Sequence, residues 1–221
     1  MYTTIHWTIE DSVGRLVLTN PPSNKMGILF FDELSDFTHK LDTKSISAIV
    51  ISGKGRHFSY GAELHELLNL MQSNARDNPD RNHYSPFFSE NISSFNFFYK
   101  LQIPVIAAIR GVCLGSALEM AMHCHFRFCG ENSVLGLPEA SYNLIPGCGG
   151  IYNLLNLTSR LTALELLLHG NTFSAQQALQ WNIADAVMPS KTIIDKAINF
   201  ARKIATGYSI YYKKDYLKLL Q

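Results

Sequence analysis

Short apolar runs bounded by turn residues dominate the chain. Ile5 to Glu10 and Val13 to Leu18 read as two strands joined by a tight turn at Asp11-Ser12. Asn20-Pro-Pro-Ser-Asn breaks regular structure, and Phe31, Leu34, Phe37 and Leu41 then fall at helical spacing over 30–41. Ser47 to Ser52 is a short buried strand ending at Gly53-Lys-Gly. Strand, helix and strand at this spacing predict a right-handed crossover and a layered α/β arrangement.

Gly61 leads into a helix running to about Met71, and Ser73 to Pro86 reads as a loop, on the surface or beside a ligand site. The stretch 87–101 carries Phe87, Phe88, Phe95, Phe97, Phe98 and Tyr99; a core-facing helix is the preferred reading over an acyl-chain pocket. Val105 to Ile109 is a buried strand, followed by glycines at 111 and 115 and a helix opening near Ser116. Beyond it, His125 to Cys129 and Val134-Leu135 read as strands, and Gly149 to Leu155 and Arg160 to His169 as helices. Ser174 to Trp181 is a further helix with Ser174 as N-cap; Val187-Met188 is a short strand and 192–205 a last helix.

No repeat or composition break divides these elements, so one domain over 1–221 is expected. At 221 residues and 47% hydrophobic, the chain can build a sizeable core. A net charge of +1, scattered along the sequence, points to neither nucleic acid nor a membrane as partner. The apolar stretches are strand-length, and the N-terminus lacks a basic segment followed by an apolar one. A cytoplasmic protein with reduced thiols at Cys113, Cys124, Cys129 and Cys148 is the expectation. His123-Cys-His125 with Cys129 matches no zinc spacing, so no metal is expected. Phosphate-loop, dinucleotide and Gly-x-Ser-x-Gly patterns are all missing from the sequence.

The candidate chemistry lies in two glutamates. A helix starting at Ser116 after a strand offers unpaired backbone N–H groups, suited to a developing oxyanion. Glu119 sits one turn in, among apolar residues, where desolvation raises a carboxyl pKa towards the range useful for proton transfer. Each acid also has a plainer reading: Glu119 as a capping or ion-paired helix residue, Glu139 after Pro138 as a first-turn acid facing a helix dipole. An upstream element, Gly61-Ala-Glu, weighs between these readings.

Five segments occur in order: Ser52-Gly-Lys-Gly-Arg-His-Phe-Ser-Tyr-Gly-Ala-Glu-Leu, Ile106-Ala-Ala-Ile-Arg-Gly-Val-Cys-Leu-Gly-Ser-Ala-Leu-Glu-Met-Ala, Leu137-Pro-Glu, Ile145-Pro-Gly-Cys-Gly-Gly and Leu168-His-Gly-Asn-Thr-Phe-Ser-Ala-Gln-Gln-Ala. Together they resemble the crotonase (enoyl-CoA hydratase/isomerase) family from Ile5 onward. The resemblance implies a spiral of repeated ββα units, assembled as a homotrimer or hexamer, acting on an acyl-CoA with no separate cofactor. It implies oxyanion donors at the backbone N–H groups of Ala62 and Ser116, and catalytic roles for Glu119 and Glu139. Ser59, Tyr60, Gly61, Leu64, Gly115 and Gly147 fall at substrate-binding positions, Gly147 beside the attacking water.

Two glutamates imply hydration of a 2-enoyl-CoA: Glu119 takes a proton from water and Glu139 delivers one to C2. Double-bond isomerisation needs Glu139 alone. Dehydration of a thioester on an acyl carrier protein and a non-catalytic thioester-binding homologue are the other readings the resemblance leaves open. This chain departs from the family in carrying Ser116-Ala117 where many members have consecutive glycines, and Glu63 where aspartate is commoner. It ends at Gln221, from which a shortened C-terminal helical segment over 191–221 is expected; Lys213 or Lys214 lies there near CoA phosphates or on a solvated helix face.

Overall fold

The computed structural model describes residues 1–77 and 86–204. The expectations for Lys213 and Lys214, and for most of the loop before Pro86, lie outside the described residues, as do the side chains of Phe87 and Phe88.

Strands β1 (Ile5–Glu10) and β2 (Val13–Leu18) form an antiparallel hairpin whose turn residues, Asp11 and Ser12, both adopt positive φ. After helix α1 (Ile28–Lys40), β3 (Ala48–Gly53) lies parallel to β2. Helices α2 (Leu64–Asp77) and α3 (Pro86–Lys100) follow, then β4 (Val105–Ile109), parallel to β3. The helix after Gly61 therefore runs past Met71 to Asp77, into part of the expected loop.

Two strands escaped the hydrophobic pattern. A strand β5 (Val112–Leu114) stands between the two glycines before α4 (Ser116–Met122). After β6 (Phe126–Gly130) and β7 (Val134–Gly136), a 3₁₀ turn covers Pro138–Tyr142. Helices α5 (Gly150–Leu157) and α6 (Arg160–His169) lead to β8 (Thr172–Ser174), the second unexpected strand. Three residues are too few to display a period, and their pairing comes from chain segments far away in sequence. Ser174 then caps α7 (Ala175–Gln180), with its side chain and that of Gln177 exchanging bonds to each other's backbone N–H. Strand β9 (Ala186–Met188) and helix α8 (Ile193–Ile204) complete the described fold.

Six strands form one sheet in the order β1-β2-β3-β4-β6-β9, and β5-β7-β8 form a second. The central strands of the first are buried along their whole length, and period-2 alternation sends their side chains into two separate cores. Ile49, Ile51, Val105, Ala107 and Ile109 face the larger core, with α1, α3 and α4. Ala48, Val50, Ile106, Ala108, Phe126 and Phe128 face the smaller one, covered by α8. Phe200 of α8 meets Phe126 and Phe128 edge-on at 5.1 and 5.0 Å.

One charge is buried in this frame. Arg127 of β6 donates from Nε to Ile183 O at 2.7 Å, from Nη1 to Cys124 O at 2.6 Å, and from Nη2 to Asp185 Oδ2 at 3.2 Å. The Asp185 carboxylate also accepts the Arg127 N–H at 2.8 Å, tying the approach to β9 onto β6. Removing the guanidinium strands the carboxylate and two carbonyls in low dielectric. Arg127→Ala is expected to lower the unfolding free energy by about 3–5 kcal/mol in urea titration; a loss below about 1 kcal/mol would mean water replaces the side chain without cost.

Candidate active site

The second sheet brings two turns of distant sequence together. Ser59 donates its N–H to Val112 O at 3.1 Å and accepts the Leu114 N–H at 3.2 Å, so the chain after β3 runs alongside β5. Ser59 is fully buried, and its Oγ accepts the Gly61 N–H at 3.0 Å, closing the first turn from beneath. Gly61 has φ 83°, and a Cβ there would lie 2.3 Å from Leu114 O and 3.4 Å from the Ser116 nitrogen. Only a residue without a side chain permits both the conformation and the contact. The peptide of Ala62 and the start of α4 thereby become neighbours. Neither the Ala62 nor the Ser116 N–H has a hydrogen-bond partner among the described residues.

Gly115 makes the second turn, with φ 53°, and donates its N–H to Gly136 O at 2.9 Å. A Cβ on Gly115 would come within 3.0 Å of Glu139 Oε1, which puts that carboxyl directly against the turn. Glu139 Oε2 is enclosed and has no hydrogen-bond partner among the described residues. Glu139 stands in the 3₁₀ turn after Pro138, so the short helix anticipated there is present in its tighter form.

Glu119 is 2% exposed. Its Oε1 accepts two backbone N–H bonds, from Cys148 at 2.7 Å and Gly150 at 2.8 Å. Gly147 immediately precedes this clamp. The Ile-Pro-Gly-Cys-Gly-Gly segment is thus a two-amide cradle for a carboxylate, a function that its glycine content did not reveal. The plainer readings hold in part: Glu139 does lie in the first turn of a short helix, and Glu119 forms no ion pair among the described residues but accepts the first N–H of α5, from Gly150.

Burial is the largest influence on both acids. It pushes Glu119 up to about 8, with the charge of Glu139 adding to the rise and the two amide bonds opposing it. Burial likewise raises Glu139 to about 7. Hydrogen bonding differs between them: Glu119 Oε1 accepts two amide donors, which favour its ionised form against the burial, while Glu139 Oε2 has no partner among the described residues.

Three supporting residues had no sequence signal of their own. His123 donates from Nδ1 to Glu119 O at 2.8 Å, which leaves Nε2 to accept from Asn153 Nδ2 at 3.1 Å and joins α4 to α5. Lys25 pairs with Glu63 at 2.9 Å beside Ala62. His125, the other histidine of the short cluster, accepts the Val105 N–H at 3.0 Å. Among the remaining expected substrate-binding positions, Leu64 opens α2 and Tyr60 is exposed, its ring edge-on to His57 at 5.1 Å.

This layered fold with two acids at the junction of its sheets is the crotonase fold. Residues 8–215 match the family model for enoyl-CoA hydratase/isomerase, and the chain belongs to that family. It is 32% identical over 203 residues to a probable enoyl-CoA hydratase of Bacillus subtilis, covering 91% of this chain and 76% of the relative. It is also 32% identical to the fatty acid oxidation complex subunit alpha of Shewanella frigidimarina, over 88% of this chain but 27% of that longer one. In three dimensions it resembles an enoyl-CoA hydratase from Bacillus anthracis, with TM-score 0.82 and 25% identity, covering 99% of this chain and 89% of the other. A probable enoyl-CoA hydratase/isomerase from Mycobacterium abscessus superposes with TM-score 0.78 at 27% identity, covering 98% and 80%. No helix among the described residues is long and apolar enough to cross a membrane.

Both acids hold protons in the folded state that they release in the unfolded chain above the ordinary carboxylate range. Between that range and about pH 8 the native state binds more protons, so stability falls as pH rises. Urea unfolding is expected to give a lower free energy at about pH 8 than at about pH 5, with the drop reduced in Glu119→Gln. An unchanged slope in that variant would refute the raised pKa of Glu119.

Proposed function

We propose that the chain hydrates a 2-enoyl-CoA thioester to the 3-hydroxyacyl-CoA. The observation that carries this reading is the pairing of two buried carboxyls, the charge of Glu139 raising Glu119, beside two unpartnered amides. The thioester oxygen accepts the N–H groups of Ala62 and Ser116. Glu119, whose anion the Cys148 and Gly150 N–H groups stabilise, removes a proton from water as its oxygen bonds to C3. The C2–C3 π electrons move towards the thioester and build negative charge on its oxygen. Glu139, protonated, then gives its proton to C2. Donors fixed in a dry site lower such a barrier by about 3–4 kcal/mol each.

A 1,3-proton shift would use Glu139 alone and leave the amide clamp on Glu119 without a purpose. That clamp favours hydration over isomerisation. The similarity to relatives named as probable enoyl-CoA hydratases agrees with it. We assign free acyl-CoA as the substrate form, and no cofactor beyond it.

The test is the loss of conjugated-thioester absorbance when crotonyl-CoA meets the protein. Glu119→Gln keeps the two amide contacts but removes the base. It is expected to lower the hydration rate by about 10²–10⁴-fold while leaving part of the proton exchange at C2. Hydration at the wild-type rate in this variant would remove Glu119 from the mechanism. Turnover only with a carrier-protein thioester would replace the substrate assignment.

A further inference from the structure

One buried side chain touches both amide turns, and the proposed chemistry does not use it. Met26, just before α1, is 1% exposed. Its N–H donates to Gly61 O at 2.9 Å and its carbonyl accepts the Glu63 N–H at 3.0 Å, so its backbone brackets Ala62 from both sides. Ser116 Oγ donates to Met26 Sδ at 3.4 Å across 90 residues of sequence. Met26 is thus fixed to the first turn by its main chain and to the second by its sulfur.

This contact exists because residue 116 has a side chain. A serine hydroxyl at the head of α4 would otherwise be free to turn towards a thioester oxygen accepting the Ser116 N–H. Here the hydroxyl proton is directed at the thioether. Sulfur is a weak acceptor, and the bond adds little stability. Its value is positional. Methionine has three rotatable bonds and would be a poor spacer unless its far end were held. Small displacements of donors around a reacting group carry large rate penalties.

We propose that Met26 is a positioning residue that sets the separation between the Ala62 and Ser116 N–H groups, acting through the Ser116 hydroxyl, which is thereby kept from bonding to substrate. The proposal rests on the reading of those two amides as the thioester-oxygen site. It adds a residue to that site and assigns the hydroxyl of Ser116 a structural partner in place of the substrate.

The test compares Met26→Leu, Ser116→Ala and the double variant. Met26→Leu keeps a similar volume and loses the acceptor. The readouts are kcat and KM with crotonyl-CoA, and the red shift of a bound conjugated dienoyl-CoA, which reports polarisation of its carbonyl. Each single variant is expected to lower kcat by about three- to tenfold and shrink the red shift, with KM changed by less than about twofold. The double variant is expected to be no worse than the poorer single, because both remove one link. Multiplying effects, or two silent variants, would overturn the proposal. So would a red shift lost in Ser116→Ala but intact in Met26→Leu, since the hydroxyl would then act on the substrate itself. If Ser116→Ala does not fold, Ser116→Gly removes the same hydroxyl. A wild-type protein that neither polarises nor hydrates the thioester refutes the underlying site; a competent wild type with unaffected variants refutes only the role of Met26.

Discussion

Two carboxyl groups enclosed within reach of each other's charge cannot both ionise without a large electrostatic cost, and the site is arranged around that constraint. Burial raises both acids, and the Glu139 charge adds to the rise at Glu119. The surrounding backbone breaks the symmetry between them. Two amides from the Cys148–Gly150 turn converge on one oxygen of Glu119, while an oxygen of Glu139 lacks any donor among the described residues. An identical pair of side chains thereby sits in two different hydrogen-bonding environments. No ion pair among the described residues relieves either acid.

The two-sheet architecture makes this pairing possible. The large sheet carries the burden of the core, sorting alternate residues of β3, β4 and β6 into two apolar layers. The small sheet is too short to contribute much apolar area. Its role is geometric: β5 delivers Gly115 and α4, β7 delivers the 3₁₀ turn with Glu139, and the strand-like segment at Ser59 lies along β5. The close approach at Gly61 then places the peptide of Ala62 next to the start of α4. Rigid secondary structure at each end fixes the junction, and such support is what a preorganised electrostatic site requires.

The residues that distinguish this chain from the commoner family pattern lie at the same junction. Ser116 stands where glycine is frequent, yet its hydroxyl donates to Met26 Sδ. Glu63, in place of aspartate, reaches Lys25 at the surface of the first turn. Membership of the enoyl-CoA hydratase/isomerase family leaves room for several thioester reactions. The proposed addition of water rests on the two-amide clamp on Glu119.

The sequence by itself determined the large elements. Alternating and helical spacings marked β1, β2, β3, β4 and α1, and located α6 to the residue. These patterns are legible because burial of one face is written directly into the order of residues. Ordered glycine-rich segments identified the family and pointed to Glu119 and Glu139. Strands β5 and β8, the amide cradle at Cys148 and Gly150, and the bridge from Met26 to Ser116 were decided only in three dimensions. Each depends on backbone groups or on partners dozens of residues away. Backbone N–H groups are the same at every non-proline position, so which of them converge on one oxygen is set by the path of the chain.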